Sequence, residues 1–267
     1  MSLLSRDRYV AVLGASGVGL GQRKGNETLW LGSVGFIDEG FHAWAVALET
    51  LDRLLGEHAP AGAELSVVVS GHFSRFCLVP WSEAISTPDE LLGFAQLCFE
   101  DLYGVPAQPW SIVLSAEPAG YDRIATALPQ DLLTRLRSLA SGRGLRLRSV
   151  QPYLMAAFNH FDKSFDGDDF LFVVAEPVRS VLLLAREGRW VAVRSVGTSD
   201  SDASLTALIG RESQLQASTS ERPFNLYLHA PARIDSHPDV PGVQLRTLEE
   251  DQTSVRDSLY VMSRAVA

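Results

Sequence analysis

Leu145-Arg-Leu-Arg-Ser-Val-Gln-Pro-Tyr-Leu-Met-Ala-Ala-Phe-Asn-His-Phe161 is the stretch that decides how this chain is organised. From Leu145 to Val150 apolar and polar residues alternate at period two, with a slip at Ser149, as in a half-buried strand. Pro152 has no N–H to give a ladder and disfavours helical geometry at Gln151, so the strand is expected to stop there. Proline is accepted in a helix's first turn, and Tyr153 to Phe158 can continue as a short apolar helix. The polar run Asp162-Lys-Ser-Phe-Asp-Gly-Asp-Asp169 follows, and a new strand pattern opens at Phe170. The lobe boundary therefore falls here, dividing the chain into 1–161 and 162–267.

Working back from that boundary, Tyr9–Leu13, Gly17–Gly21 and Thr28–Leu31, running on toward Phe36, are three strand-like pieces separated by glycines and by Lys24-Gly25-Asn26. An antiparallel meander of hairpins is the economical reading. From Gly40 to His58, Phe41, Trp44, Ala45, Leu48, Leu51, Leu54 and Leu55 recur at helical spacing. Leu65–Ser70 is nearly all apolar, as in a central strand covered on both faces. Phe73–Val79 follows across Gly71-His72 and reads as its hairpin partner, closed by Pro80-Trp81. Thr87 with Glu90 forms a capping box for a helix that ends at Gly104. Two further strands, Trp110–Ser115 and Tyr121–Ala127, lead to a helix opened by Pro129 and ended near Gly142.

Working forward, Phe170–Ala175, Ser180–Ala185 and Trp190–Val196 form a second meander with a turn at Glu187-Gly188. Asp202 to about Leu215 is helical, Phe224–His229 and Val243–Leu248 are strands, and the tail from Thr253 has helical character. Each lobe thus opens with a three-strand meander and then alternates helix and strand, although no sequence repeat matches that architectural one. The fold class is α/β with mixed α+β lobes.

Composition narrows the function. The chain has 267 residues, 46% hydrophobic and 21% charged, with 23 lysines and arginines against 32 aspartates and glutamates, a net charge of −9. This balance repels phosphate backbones and anionic lipid, so no nucleic-acid partner and no direct membrane insertion are expected. No signal-peptide core and no run near the roughly 20 apolar residues of a membrane helix is present, which predicts a cytoplasmic protein. Cys77 and Cys98 lie in apolar patterns without zinc or disulfide spacing and read as buried thiols.

Leu13-Gly-Ala-Ser-Gly-Val-Gly-Leu-Gly21 invites nucleotide readings. Gly14 and Gly19 have the separation of a phosphate loop, but Leu20 and Gly21 stand where the lysine and the Ser/Thr belong. A short-chain-dehydrogenase turn would need one residue more, and no Tyr-x-x-x-Lys follows: Tyr153 is followed four later by Ala157, Tyr103 by Ala107. The plain alternative is a hairpin whose glycines ease the turn. Asp162, Asp166, Asp168 and Asp169 lack calcium-loop spacing and read as a solvated linker. The six histidines show no metal spacing, and neither Ser70 nor Ser16 sits in a nucleophile elbow. No catalytic and no metal-binding residue is expected. Trp81, after Pro80, is the candidate for a partner surface.

The order of elements resembles the actin-like, ribonuclease-H-like two-lobe ATPase fold. More narrowly, it resembles the cytoplasmic actin-like proteins of type IV pilus and type II secretion assembly platforms, PilM and the cytoplasmic part of GspL. The likeness is carried by Leu65–Trp81, the helix over 88–103, Trp110–Ser115 and Gly144–Ala157. Active members of the fold place an Asp-x-Gly-type turn in each lobe, whose amides hold phosphate and whose acids hold magnesium through water. Here the first turn, Leu13-Gly14-Ala15-Ser16, has no acid. In the second, Ala175-Glu176-Pro177-Val178, proline removes an amide and no glycine permits close approach. The resemblance therefore implies a degenerate ATPase without a required cofactor. Any residual ATP and magnesium would fall to Gly14, Ser16, Gly17 and Glu176. It further implies a scaffold at the inner-membrane face that binds the cytosolic segment of an inner-membrane pilus or secretion protein, with a motor ATPase as a second expected partner. The alternatives are a divergent ATPase or phosphotransferase using Ser16, Gly17 and Glu176, and, third, a nicotinamide-dependent reductase.

Overall fold

The computed structural model describes residues 7–25, 27–37, 43–105, 109–197, 201–219, 225–232, 238, 240, 244–248 and 257–266. In chain order the elements are β1 (Arg8–Leu13), β2 (Gly17–Lys24), β3 (Glu27–Gly35), α1 (Ala43–His58), β4 (Glu64–Val69), β5 (Arg75–Val79), α2 (Pro88–Tyr103), β6 (Trp110–Leu114) and β7 (Arg123–Pro129). There follow α3 (Gln130–Gly142), β8 (Arg146–Pro152), α4 (Tyr153–His160), β9 (Phe170–Glu176), β10 (Arg179–Arg186), β11 (Arg189–Gly197), α5 (Asp202–Thr219), β12 (Asn225–His229), β13 (Leu245–Thr247) and α6 (Ser258–Arg264). The expected positions of Phe41, Phe224, Val243 and Thr253 lie outside the described residues.

Two five-stranded sheets repeat one topology. The first runs β3-β2-β1-β4-β8 and the second β11-β10-β9-β12-β13. In each, three antiparallel meander strands are extended by two strands parallel to the first. This is the ribonuclease-H-like order expected from the two meanders. Central β4 carries Val67, Val68 and Val69 fully buried between β1 and β8, as its continuous apolar run predicts. Outer β8 is half-buried, and its register runs one step beyond Gln151 to Pro152 opposite Val69. A proline fits there because it ends the strand at the margin of the sheet.

By contacts the chain forms two compact units: Met1–Ser74, Pro129–His160 and Gln252–Ala267 in one, Arg75–Leu128 and Phe161–Asp251 in the other. One border falls between His160 and Phe161, and the partition is not two consecutive halves. Residues 75–128 sort with the second sheet, and the last residues of the chain sort with the first.

One pairing differs from expectation. β5 is not the hairpin partner of β4; it pairs antiparallel with β7 in a separate sheet of order β5-β7-β6. After β4 the chain is turned by local bonds at Ser70: the Phe73 amide and the Ser74 hydroxyl donate to its carbonyl at 3.0 and 3.2 Å, and the His72 amide to its hydroxyl at 3.2 Å. Helix α2 covers the small sheet through Ala95 and Phe99, packed on Cys77, Val79, Ala125 and Ala127. In the second unit α5 lays Leu205, Leu208 and Ile209 on Leu171, Val173, Leu182, Leu184 and Leu226.

Candidate functional site

The β1–β2 hairpin carries Gly14, Ser16 and Gly17. The Gly14 amide donates to the Gly17 carbonyl at 2.9 Å, closing the turn on itself, and the Ser16 carbonyl accepts from the Phe36 amide at 2.9 Å. Gly14 and Gly17 are buried, whereas Ser16 is exposed. The space beside the glycines is occupied. A Cβ on Gly14 would lie 2.5 Å from Leu259 Cδ2, one on Gly17 3.2 Å from Leu259 Cδ1, and one on Gly19 2.3 Å from Cη2 of Trp30. Gly17 and Gly19, two apart on one strand, face the same side, so together they form a trough for Leu259 and the Trp30 ring.

Helix α6 is held on this trough by one carboxylate. Asp257 accepts from the Leu259 amide at 2.9 Å as the helix cap, from Trp30 Nε1 at 3.2 Å and from the Ser33 hydroxyl at 2.7 Å. Tyr260 sets its ring edge-on to Trp30, with centroids 5.5 Å apart. Asp257 and Leu259 were not singled out by sequence reasoning. The local signal was Asp257 two residues ahead of Leu259-Tyr-Val-Met262, a helix cap and an apolar run. That this run fills the glycine hairpin is a long-range fact that no local pattern carries.

Glu176 belongs to the other unit, at the end of β9, and is 3% exposed. Glu176 and Arg179 pair across the two-residue turn Pro177-Val178, and Val178 adopts φ +51°. That region normally calls for glycine or asparagine; a β-branched residue there is strained. The turn therefore has no amide at Pro177 and a bulky side chain on the next residue.

Trp81 is 42% exposed and borders a pocket of about 300 Å³. Val79, Pro80, Ile85, Pro88, Leu91 and Tyr121 give it apolar walls. Its frame is well tied: the Trp81 amide donates to Asp122 at 2.9 Å, the Arg123 guanidinium donates to the carbonyls of Ser115 and Glu117 at 2.8 and 2.6 Å, and Arg189 lies 4.2 Å from the Tyr121 ring centroid. The arrangement is concave and has room for one aromatic anchor, and Ser82, Ser86, Thr87 and Arg123 add polar groups to its apolar walls.

The remaining sequence candidates are structural. Ser70 is fully buried in its turn. Cys77 is buried and Cys98 only half-buried, a correction to the reading of both as buried. Burial and the neighbouring Cys98 push the Cys77 thiol up to about 11, so neither an activated nor a metal-ready thiolate stands there. The aspartates of 162–169 are not merely solvated. Asp166 pairs with Arg246 and gives its amide to the Tyr227 hydroxyl at 2.7 Å, while Asp169 accepts from the Glu187 amide at 2.6 Å. Among the described residues no group of His, Cys, Asp and Glu could hold a metal ion.

No protein-family model matches the chain, and no curated protein matches it in sequence. Solved structures do match. The PilM–PilN type IV pilus biogenesis complex aligns with TM-score 0.60 and 16% identity over 97% of this chain and 90% of that one. The cytoplasmic domain of EpsL, an inner-membrane component of the type II secretion system of Vibrio cholerae, aligns with TM-score 0.58 and 10% identity over 97% and 94%. A protein of unknown function with an actin-like ATPase fold from Bacteroides thetaiotaomicron VPI-5482 aligns with TM-score 0.56 and 11% identity over 84% and 81%. With the repeated sheet order, these likenesses establish that the chain has the actin-like fold, in the form resembled by PilM and the cytoplasmic part of GspL-type proteins.

Proposed function

We propose that this chain is a non-catalytic scaffold of a pilus or secretion assembly platform, which binds the cytosolic segment of an inner-membrane partner. The observation that carries the reading is the filled glycine hairpin. The residues that would have let a phosphate approach β1 and β2 instead accept Leu259 and Trp30, and the Gly14 amide is spent inside its own turn. The second turn adds Pro177 and the strained Val178. The near-complete overlap with the PilM–PilN complex and with the cytoplasmic domain of EpsL supports an assembly role. The Trp81 pocket is the proposed contact for the partner segment, with a motor ATPase as a second partner elsewhere. No helix of the described residues is long and apolar enough to cross a membrane. In this reading the chain works in the cytoplasm and is brought to the inner-membrane face by that partner.

Two measurements test this. With ATP, ADP or GTP and magnesium, no thermal shift is expected, whereas a ligand at 100 times its Kd would add about 2.7 kcal/mol of stability. The cytosolic segment of a bitopic pilus or secretion protein encoded beside this gene should bind, with affinity reduced at least about tenfold by Trp81→Ala. Micromolar binding of magnesium-ATP, with turnover abolished by Glu176→Ala, would instead establish the alternative of a divergent ATPase.

A further inference from the structure

Arg179, at the start of β10, donates from Nη1 to the Ser195 hydroxyl at 3.0 Å, and its Nε is buried without an acceptor. Among the described residues it forms no ion pair, although Glu176 stands opposite it across the β9–β10 turn. A buried donor without an acceptor is costly, more so on a charged group. Side chains alternate across a strand, so Arg179 lies on the sheet face away from Leu182 and Leu184, the residues under α5. Ser195, the ladder partner of Val181, shares that face. Arg75 opens β5, which packs against β11. It projects to the same side as Cys77 and Val79, beneath α2, and its guanidinium lies 6.0 Å from the Tyr103 ring centroid. Burial first, and then the Arg179 charge, hold the Arg75 guanidinium below its usual range, with Tyr103 acting the other way. All four residues belong to the unit of 75–128 and 161–251, and both arginines are half-buried.

The donor set selects the ligand. Two guanidiniums carry only N–H donors, and the Ser195 hydroxyl, which accepts from Arg179, keeps its own hydrogen to give. Bringing two like charges together away from bulk water is unfavourable unless a negative group joins them. Glu176, placed beside Arg179 by the ladder, offsets one of the two charges, which leaves one for a ligand. Arginine forks match the paired oxygens of carboxylate and phosphate, and such charge-assisted bonds are the strong ones. We propose that Arg75, Arg179 and Ser195 form a binding site for one oxyanion, a carboxylate or a phosphate, where β5 meets the second sheet. The site shares no residue with the glycine hairpin or the Trp81 pocket and calls for neither magnesium nor a nucleotide base, so it and the scaffold reading can fail separately.

The test uses the full chain with sodium phosphate and sodium acetate as probes, each compared with sodium chloride at equal ionic strength. Isothermal titration is expected to show saturable binding of at least one of them, weakened at least about tenfold by Arg75→Gln and by Arg179→Gln. On the unaltered chain the Nε–H resonance of Arg179 should move during the titration and saturate at the same midpoint, a readout that holds even if a variant folds poorly. Tighter binding of phosphate assigns the source to a free or esterified phosphate, and tighter binding of acetate to a carboxylate borne by a partner; either supports the site. In chloride, Arg179→Gln should leave the urea midpoint unchanged or raise it, because it removes a repulsion, whereas at saturating anion it should fall below the parent. No saturable response beyond chloride, an unmoved Arg179 resonance, or variants that bind as tightly as the parent would overturn the proposal. A midpoint lowered equally with and without the anion would overturn it too, since Arg179 would then serve only as a structural donor to Ser195.

Discussion

Leu259 sits where a methyl group on Gly14 would have to go, and this single contact can be isolated. Gly14→Ala should destabilise by about 1–3 kcal/mol through overpacking, because its new Cβ would meet Leu259 Cδ2 at 2.5 Å. Leu259→Ala alone should also destabilise, by lost burial, but the double variant should fall well short of the sum, since removing Leu259 vacates the space. Urea denaturation of the four proteins closes this cycle; additive losses would mean that the two residues do not meet. Val178 offers the opposite sign. Its φ of +51° is a conformation that asparagine tolerates and valine does not. Val178→Asn should therefore stabilise by about 0.5–1 kcal/mol in the same assay. The sequence made the first of these positions visible only as a glycine pattern. Spacing could reject a phosphate loop, because Leu20 and Gly21 lack the needed groups, but it could not say that the glycines exist to receive a side chain from the other end of the chain.

Local chemistry was most legible at the ends of elements. The Thr87 and Glu90 pairing read from the sequence is present in full: the Glu90 amide donates to the Thr87 hydroxyl at 3.2 Å, and the Glu90 carboxylate accepts from the Thr87 amide at 3.1 Å. The Ser86 amide first, then its hydroxyl and the Thr87 amide, hold the Glu90 carboxyl below the usual carboxylate range. A folded value below the unfolded one means that this stabilisation is complete above the ordinary carboxylate pKa and is lost as pH falls through the folded value. Glu90→Gln should thus be less stable than the parent at neutral pH, with the gap closing on acidification, as pH-dependent urea midpoints would show. Asp257→Ala should cost more than an ordinary cap, about 2–3 kcal/mol, because it strands Trp30 Nε1 and the Ser33 hydroxyl as well as the Leu259 amide. Pairing between elements was less legible. Gly71-His72 has hairpin length, yet β4 takes two parallel in-sheet neighbours, an inner position in keeping with its continuous apolar run, and no local signal revealed that β5 would leave for another sheet.

At the scale of the molecule, the two meanders announced the fold, since each three-strand opening followed by alternating helix and strand leads to the same sheet order. What stayed hidden is that the chain weaves. Cutting the chain after Phe161 would leave residues 75–128 without most of the unit they sort with, including β11, against which β5 packs, and would strip the glycine hairpin of α6. A fragment of 1–161 would expose the trough left by Leu259, lose the caps and rings around Trp30, and bare one side of the β5-β7-β6 layer. Such a piece retains secondary-structure propensity but lacks the apolar cover that makes folding cooperative. It should give a helical and sheet-like far-ultraviolet spectrum with weak near-ultraviolet dichroism and a broad urea transition, whereas the full chain unfolds sharply. A fragment with a sharp transition and well-dispersed amide resonances would show that 1–161 is a self-sufficient lobe after all, and that the contacts made by Leu259 and β11 are dispensable to it.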